Sequence, residues 1–247
     1  MSKRLQAAQR GKLRGKVAVV TGGSRGIGLA IAEALAAEGC AVVLAGRDQR
    51  TLRAAARKVA RLGSDALVQL CDVSDPRSVA ALFSATRRRF RRLDILINNA
   101  GIAHPLCSVQ TLPIRAWRTV LDTNLTGMFL CAKTAIPLMR RGGAIVNNLS
   151  ISARRVFPGN AAYDASKHGA LGLTRTLREE LRPRGIRVIA LLQGATATDI
   201  WNQFWPQAPR GRMISPADVA AMVVEALALP AGTTVEELVI APQRGAL

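Results

Sequence analysis

The sequence predicts a single α/β domain in which a doubly wound parallel sheet carries helices on both faces. Three observations support this prediction. Short apolar runs alternate with helical segments along the chain, and each run is apolar throughout instead of at every second residue. A glycine-rich turn joins the first run to the first helical segment. Continuously apolar strands are typical of parallel sheets buried on both faces, and 247 residues suit one large domain better than two small ones.

Seven runs are read as strands, because each is short, apolar and bounded by glycine or polar residues. We expect them to belong to one parallel sheet, since a helical segment separates each from the next. The predicted strands cover residues 17–20, 41–45, 66–70, 94–97, 144–149, 186–192 and 237–240.

Glycine and proline mark the ends of the predicted helices. Gly39 and Gly63 suit the C-terminal caps of the first two helices. Pro76 suits the first turn of the third helix, and Pro183 stops the helix that carries Tyr163. The predicted helices cover residues 27–39, 51–62, 76–89, two segments that flank Asn124 and run into Met139, a segment from Tyr163 to about 181, and residues 216–229.

The chain is strongly basic. It has 35 lysines and arginines against 16 aspartates and glutamates, which gives a formal net charge of +19. This excess predicts attraction to acidic partners, and the candidates are a phosphorylated cofactor, an acidic carrier protein and nucleic acid. The densest arginine cluster, residues 87–92, contains Phe90 as its only aromatic residue, and the sequence shows no helix-turn-helix pattern. We therefore expect no sequence-specific nucleic-acid binding.

The termini and the cysteines predict where the protein resides. No apolar run approaches the ~20 residues that span a bilayer, and the basic N-terminus lacks the apolar stretch of a signal peptide. We expect a cytoplasmic protein without membrane association, in which residues 1–14 form a flexible basic arm and residues 15–247 form the domain. The four cysteines are widely spaced and form no Cys-x-x-Cys pair, so the sequence predicts reduced thiols and no metal site.

A glycine-rich turn follows the first predicted strand and contains Gly22, Gly26 and Gly28. Between a strand and a helix, such a turn places backbone N–H groups and a helix N-terminus against the pyrophosphate of a dinucleotide. Glycine is needed because a Cβ would block the phosphates and the close packing of helix against strand. The turn therefore predicts a dinucleotide site.

The end of the second predicted strand indicates which dinucleotide binds. An NAD site places an acidic residue there, close to the ribose hydroxyls. In this chain Gly46 and Arg47 occupy that region, and Arg25 lies within the glycine turn. Two arginines suit a 2′-phosphate, because a guanidinium can bind it through two hydrogen bonds. NADP(H) is therefore predicted over NAD(H), while a one-residue shift of the strand end would bring Asp48 to the ribose instead.

Tyr163 and Lys167 form a Tyr-x-x-x-Lys step, and Ser150 stands thirteen residues before the tyrosine. On a helix, positions i and i+4 share one face. A tyrosine with its ordinary pKa of about 10 is a poor acid–base catalyst at neutral pH, and a neighbouring cation favours the phenolate and lowers that pKa. The step predicts a proton-transfer pair, and a chance pair on a helix surface is the alternative.

Further motifs accompany this step in a defined order. They are Thr21-Gly-x-x-x-Gly-x-Gly28, Asp72 after the third strand, Asn98-Asn-Ala-Gly101, Asn124, Ser150 and Tyr163-x-x-x-Lys167. Their order and spacing resemble the short-chain dehydrogenase/reductase family over nearly all of the chain after the N-terminal arm. The resemblance implies a Rossmann-type sheet of seven strands and the NAD(P)-dependent interconversion of a carbonyl group and an alcohol.

The resemblance implies four catalytic residues. Tyr163 is implied as the proton donor to a carbonyl oxygen during reduction, and as the base in the reverse direction. Ser150 is implied to hydrogen-bond the substrate oxygen, with Ser152 as an alternative hydroxyl. Lys167 is implied to lower the pKa of the tyrosine and to hold the nicotinamide ribose, and Asn124 to hold a water that connects the lysine to solvent.

The resemblance also implies a set of cofactor contacts. Within it, Asp72 is expected beside the adenine ring and Thr198 at the nicotinamide carboxamide. The full set is Gly22, Ser24, Arg25, Gly26, Ile27, Gly28, Arg47, Asp72, Val73, Asn99, Ala100, Gly101, Tyr163, Lys167, Gly194, Thr196 and Thr198.

Some features depart from the family pattern and leave the substrate open. Gln193-Gly194 stands where the family commonly has Pro-Gly, and a proline would fix the backbone there. Residues near 196–212 are expected to form a mobile lid with an apolar, aromatic inner wall. The C-terminus lacks the Val-Asp-Gly-Gly ending frequent in the acyl-carrier-protein reductase branch, so 3-oxoacyl thioesters and small oxo or hydroxy compounds are both candidate substrates.

The resemblance implies a homo-oligomer, either a tetramer or a dimer. The alternative function is an NADP(H)-binding regulator or scaffold without turnover.

Overall fold

The computed structural model describes residues 11–230 and 232–245, and within them it contains one sheet of seven strands. The strands are β1 (Val17–Thr21), β2 (Ala41–Gly46), β3 (Ala66–Leu70), β4 (Leu93–Asn98), β5 (Met139–Asn148), β6 (Arg187–Gln193) and β7 (Glu237–Ile240). Their order across the sheet is β3-β2-β1-β4-β5-β6-β7, and every neighbouring pair is parallel. The predicted doubly wound, Rossmann-type class is confirmed.

Helices cover both faces of this sheet. Successive strand residues point to opposite faces, so each strand contributes side chains to both cores. Ala18 and Val20 pack in one core and Val19 packs in the other. The helices are α1 (Gly26–Ala37), α2 (Gln49–Arg61), α3 (Pro76–Phe90), α4 (Ile114–Leu121), α5 (Gly127–Ala135), α6 (Ala161–Leu181), α7 (Trp201–Phe204) and α8 (Pro216–Ala228). The first core contains α1, α2 and α8, and the second contains α3, α5 and the C-terminal half of α6.

The region between α5 and β5 differs from the prediction. The sequence predicts a helix up to Met139 and a strand over 144–149, whereas α5 ends earlier, continues as a 3₁₀ turn (Ile136–Leu138) and is followed at once by β5. Pro137 explains the early end, because proline has no N–H for the helical ladder. The strand then shifts register before residue 144, and Gly142 takes a left-handed φ of +83° in the intervening bend.

The N-terminal arm is described only from residue 11 onward. Residues 1–10, most of the predicted arm, lie outside the described residues. Leu13 is 1% exposed and its N–H bonds the Glu38 carbonyl at 3.2 Å, while Lys12 forms an ion pair with Glu225. The chain therefore packs against the domain before residue 15, because Leu13 removes apolar surface from water.

Two findings concern membranes and metals. Across residues 11–230 and 232–245, no helix combines the length and the apolar character that crossing a bilayer requires. The same residues contain no cluster of three or more histidine, cysteine or acidic side chains suited to a metal ion. The four cysteines are free, and burial raises the pKa of the Cys40 thiol to about 12.

Candidate active site

A cavity of about 900 Å³ opens at the carboxyl ends of the strands, which is where doubly wound sheets bind ligands. Its walls come from the turn after β1, the ends of β2 and β3, the loops after β4 and β5, and the segment that follows β6. The implied cofactor residues line this cavity with the exception of Gly28, which is buried behind the glycine turn. Of the implied catalytic residues, Ser150, Tyr163 and Lys167 line it and Asn124 does not.

The glycine positions of the turn leave little room for a side chain. A Cβ on Gly28 would lie 2.4 Å from the Gly22 carbonyl oxygen, and a Cβ on Gly22 would lie 2.9 Å from Asn99 Nδ2. A Cβ on Gly26 would lie 3.2 Å from Thr198 Cγ2, and its φ of +55° also favours glycine. The N-terminus of α1 follows directly and has no acidic residue in its first turn. This cradle suits the pyrophosphate of a dinucleotide.

A matched pair of glycine substitutions tests the cradle. Gly28→Ala should lower the free energy of unfolding by about 2 kcal/mol, because the new Cβ would overlap backbone and side-chain atoms. Gly172→Ala is the control: apart from the adjacent turns of its own helix, no atom lies within 4 Å of a Cβ built at this position inside α6, and alanine favours the helix by about 1 kcal/mol. Urea denaturation measures both variants. If Gly28→Ala proved as stable as Gly172→Ala, the close packing of the turn would be contradicted.

An asparagine network holds the glycine turn against the rest of the cavity. The N–H groups of Asn99 and Ala100 donate to Thr21 Oγ1 at 2.9 and 3.1 Å. Asn99 Nδ2 donates to the Thr21 and Gly22 carbonyls at 3.0 and 3.1 Å, and Asn148 Nδ2 donates to Asn99 Oδ1 at 2.7 Å. The sequence did not single out Asn148; the available signal was a polar residue at the end of a buried strand.

Arg47 and Asp72 lie together at the ends of β2 and β3. Ser74 donates to Asp72 Oδ1 and lowers the pKa of this carboxyl, and the positive charge of Arg47 adds to the effect. Asp48 instead accepts a hydrogen bond from Thr51 N at 2.7 Å and caps α2, which lowers its pKa. The strand ends at Gly46, Asp48 is engaged in the cap of α2, and Arg47 lines the cavity between them.

Tyr163 and Lys167 lie one turn apart on α6. Lys167 Nζ is 5.4 Å from the centroid of the Tyr163 ring and donates to the Asn148 carbonyl at 3.0 Å. Lys167 is 5% exposed, and burial lowers its pKa to about 8. Burial raises the pKa of Tyr163 to about 12, with hydrogen bonding to the Ser150 side chain acting in the opposite direction. Burial opposes the predicted lowering of the tyrosine pKa, because the walls that enclose the phenol also desolvate its phenolate.

The two candidate serines have different partners. Ser150 precedes a 3₁₀ turn and its Oγ accepts a hydrogen bond from Ser152 N at 3.1 Å, while its hydroxyl interacts with Tyr163. Ser152 is buried, and its hydroxyl lowers the pKa of the Asp164 carboxyl, against the larger raising effect of burial. The geometry therefore favours Ser150 over Ser152 as the hydroxyl beside the tyrosine.

Asn124 lies in a π-helical turn between α4 and α5, outside the cavity wall. Its Oδ1 accepts from Ile102 N at 2.9 Å, and its Nδ2 donates to the Ile102 carbonyl at 2.9 Å and to Ser166 Oγ at 3.0 Å. It thus ties the loop after β4 to α6. A Cβ on Gly101 would lie 3.4 Å from Asn124 Oδ1 and 3.8 Å from Lys167 Nζ, so this glycine leaves space between the two side chains.

The segment after β6 covers the tyrosine. The Phe204 ring stacks near Tyr163 with 6.4 Å between centroids, and Trp201 packs on Phe204 at 4.7 Å. Gln203 Oε1 accepts a hydrogen bond from Ala103 N at 2.9 Å, which joins α7 to the loop after β4. The sequence predicts the aromatic wall here; it does not predict that α7 forms or that Gln203 fastens it.

The remaining implied cofactor residues of this segment lie between β6 and α7. Thr196 Oγ1 donates to the Gly194 carbonyl at 3.0 Å. The Thr198 carbonyl accepts a hydrogen bond from Arg210, which follows α7. Arg25 lies 3.9 Å from Asp199, and both side chains are exposed. Exposed ion pairs are weak, so this contact leaves Arg25 able to bind an anion in the cavity.

The sequence is similar to known reductases and dehydrogenases. Residues 16–209 match the family model of short chain dehydrogenase. A 3-oxoacyl-[acyl-carrier-protein] reductase from Synechocystis sp. is 37% identical over 222 residues, which cover 85% of this chain and 88% of the relative. A D-threitol dehydrogenase from Mycolicibacterium smegmatis is 36% identical over 227 residues, which cover 86% of each chain.

Solved structures share the fold over the same length. An alcohol dehydrogenase from Thermococcus sibiricus, complexed with 5-hydroxy-NADP, has a TM-score of 0.85 and 31% identity, covering 91% of this chain and 95% of that one. A short chain dehydrogenase from Burkholderia cenocepacia in complex with NADP has a TM-score of 0.86 and 32% identity, covering 94% and 98%. The chain belongs to the short-chain dehydrogenase/reductase family, whose members named here are oxidoreductases that act on CH–OH and carbonyl groups.

Proposed function

We propose that the protein is an NADP(H)-dependent oxidoreductase that interconverts a ketone and a secondary alcohol, with Tyr163 as the proton donor and acceptor. The observation that carries the proposal is that Tyr163, Lys167 and Ser150 converge on the same cavity as the glycine cradle. The cradle would hold the pyrophosphate, Arg47 would hold the adenosine end, and Lys167 would hold the nicotinamide ribose.

Proton transfer follows from the contacts of the chain's own residues, while the bound nicotinamide supplies or accepts the hydride. The hydroxyls of Ser150 and Tyr163 would both hydrogen-bond the substrate oxygen, and the tyrosine would donate its proton as negative charge develops there. Lys167 lies beside the Tyr163 ring and is held by the Asn148 carbonyl, so its positive charge favours the phenolate left behind. Asn124 shapes the site by holding Ile102. A water held between Asn124 and Lys167 would connect the lysine to solvent, from which the Tyr163 phenolate would regain its proton.

The substrate is proposed to have an apolar skeleton. Trp201, Phe204, Phe157 and Leu106 line the part of the cavity beyond the tyrosine. Arg154 also lines it, but an ion pair with Glu237 on β7 already engages its charge. A 3-oxoacyl thioester, carried by an acidic carrier protein, and a small oxo or hydroxy compound are the two substrate classes within the proposal. We also propose that the protein is cytoplasmic and forms a homo-oligomer.

The cofactor preference gives a direct prediction. Arg47→Ala should weaken NADPH binding by about 10- to 100-fold, the range expected for losing charge-assisted hydrogen bonds to a phosphate, and should change NADH binding by less than about twofold. Arg57→Ala, an exposed arginine farther along α2, is the control and should leave both affinities close to wild type. Fluorescence titration measures them. Equal weakening of NADPH and NADH by Arg47→Ala would refute the assignment.

A substrate panel tests the proposed activity. Purified protein is mixed with NADPH or NADH and with 3-oxoacyl thioesters, small diketones and aryl ketones, and cofactor oxidation is followed. We expect oxidation with at least one carbonyl class and faster turnover with NADPH than with NADH. Tight NADPH binding without consumption of any carbonyl would support the regulator or scaffold instead.

A further inference from the structure

Gln193 is a buried residue in the cavity wall. It ends β6, is 8% exposed and lines the cavity wall, and its Oε1 has no hydrogen-bond partner among the described residues. An unpaired amide at a buried position costs free energy, which an apolar residue of similar size would avoid. The unpaired amide is therefore a candidate partner for a hydrogen-bonding group of a ligand.

The alternation of β6 indicates which side of the sheet this amide faces. Leu192 packs in the cluster that contains Ala170 and Leu171 of α6, the helix of the catalytic tyrosine. Leu191 packs instead in the core of α1 and α8. Strand geometry places Gln193 on the same side as Leu191. The amide thus lies on the side of the glycine-turn helix, which suits a contact with the dinucleotide better than one with the substrate.

The strand order indicates which end of the dinucleotide reaches Gln193. Arg47 and Asp72 follow β2 and β3, which lie toward one edge of the sheet, whereas Gln193 ends β6, which lies toward the opposite edge. Leu149, next to Ser150, bonds the Leu191 carbonyl through its N–H at 2.9 Å, so the end of β6 adjoins the catalytic serine. The nicotinamide must be at this end, because hydride transfer occurs beside Ser150 and Tyr163.

We propose that the Gln193 side chain hydrogen-bonds the carboxamide of the nicotinamide and positions the ring; this rests on the proposed NADP(H) site. A primary amide offers both a donor and an acceptor, and the Gln193 amide can present either atom by rotating about its last bond. The backbone that carries this side chain is held in place, because β6 pairs with β7 and the Gly194 N–H bonds the Ile240 carbonyl at 2.7 Å. Gln193 is accordingly a positioning residue.

Calorimetric titration with two ligands tests the assignment. NADP⁺ carries the nicotinamide, whereas 2′,5′-ADP contains only the adenosine end. Gln193→Met keeps the length of the side chain without its amide, and we expect it to weaken NADP⁺ binding by about 5- to 10-fold while changing 2′,5′-ADP binding by less than about twofold. Gln69→Met, in which the lost amide bonds the neighbouring Leu70 carbonyl on β3, should change neither affinity.

The outcomes separate this inference from the proposed function. Unchanged NADP⁺ affinity in Gln193→Met, with 2′,5′-ADP still bound, would overturn the role of the amide and leave the NADP(H) site intact. Equal weakening of both ligands would also overturn it, since it would show a general distortion of the cavity. Gln193→Leu provides the same comparison if the methionine variant fails to fold. A wild-type protein that binds neither ligand would refute the proposed function itself.

Discussion

Tyr163→Phe is expected to lower the rate of carbonyl reduction by at least about 100-fold, the contribution typical of a positioned acid–base group. The variant removes the hydroxyl that Tyr163 of α6 contributes to the cavity wall and keeps the ring that packs near Phe204. NADPH affinity should therefore change by less than about twofold. Steady-state kinetics and fluorescence titration on the same preparation separate the two quantities.

The two serines are the matched controls for this prediction. Ser150→Ala should also lower turnover strongly, because its hydroxyl lies beside the phenol. Ser152→Ala should retain most of the turnover, since its hydroxyl interacts with Asp164. Undiminished turnover in Tyr163→Phe would exclude the tyrosine as the proton donor. A larger loss in Ser152→Ala than in Ser150→Ala would reverse the assignment of the serines.

Lys167→Met should abolish turnover and raise the free energy of unfolding by about 2 kcal/mol near neutral pH. Burial lowers the pKa of Lys167 from 10.5 to about 8. Below that value the lysine is charged in both the folded and the unfolded chain, and desolvation of the charge opposes folding. Methionine removes this cost, although it also loses the hydrogen bond to the Asn148 carbonyl.

The pH dependence of this gain follows from the sign of the shift. Between about 8 and 10.5 the unfolded chain binds more protons at this position than the folded chain, so wild-type stability rises with pH. The advantage of Lys167→Met should shrink over that interval and vanish above it. Urea denaturation across this range measures the effect, with Lys133→Met on the exposed side of α5 as a control that shows no such trend. A variant less stable than wild type near neutral pH would contradict the buried charge.

The sheet and most of the cavity wall could be predicted because their signals are local. Val17–Thr21 is apolar in every position except its last residue. The glycines that follow it stand between a strand and a helix, and this position favours a dinucleotide-binding turn over a merely structural tight turn. The Tyr-x-x-x-Lys spacing likewise places Tyr163 and Lys167 on one face without any knowledge of the rest of the fold. Elements of this kind are specified by neighbouring residues.

The contacts that tune the site could not be predicted, because they join distant parts of the chain. Asn148 bonds Asn99 and accepts from Lys167, and Asn124 bonds Ile102 and a residue of α6. The pKa of Tyr163 depends on how completely these segments enclose it, so the neighbouring lysine does not set this pKa alone. The spacing of residues predicts which groups meet, whereas the surrounding packing sets their protonation.

Transfer of deuterium from labelled NADPH to the product alcohol tests the central claim most directly. The cofactor is deuterated on the transferable position of the nicotinamide ring, and the alcohol formed from a ketone of the panel is analysed by mass spectrometry. Direct hydride transfer predicts one deuterium on the carbinol carbon with wild-type protein, and about 100-fold less labelled product with Tyr163→Phe. Product without deuterium, or NADPH binding without any labelled alcohol across the panel, would contradict the account.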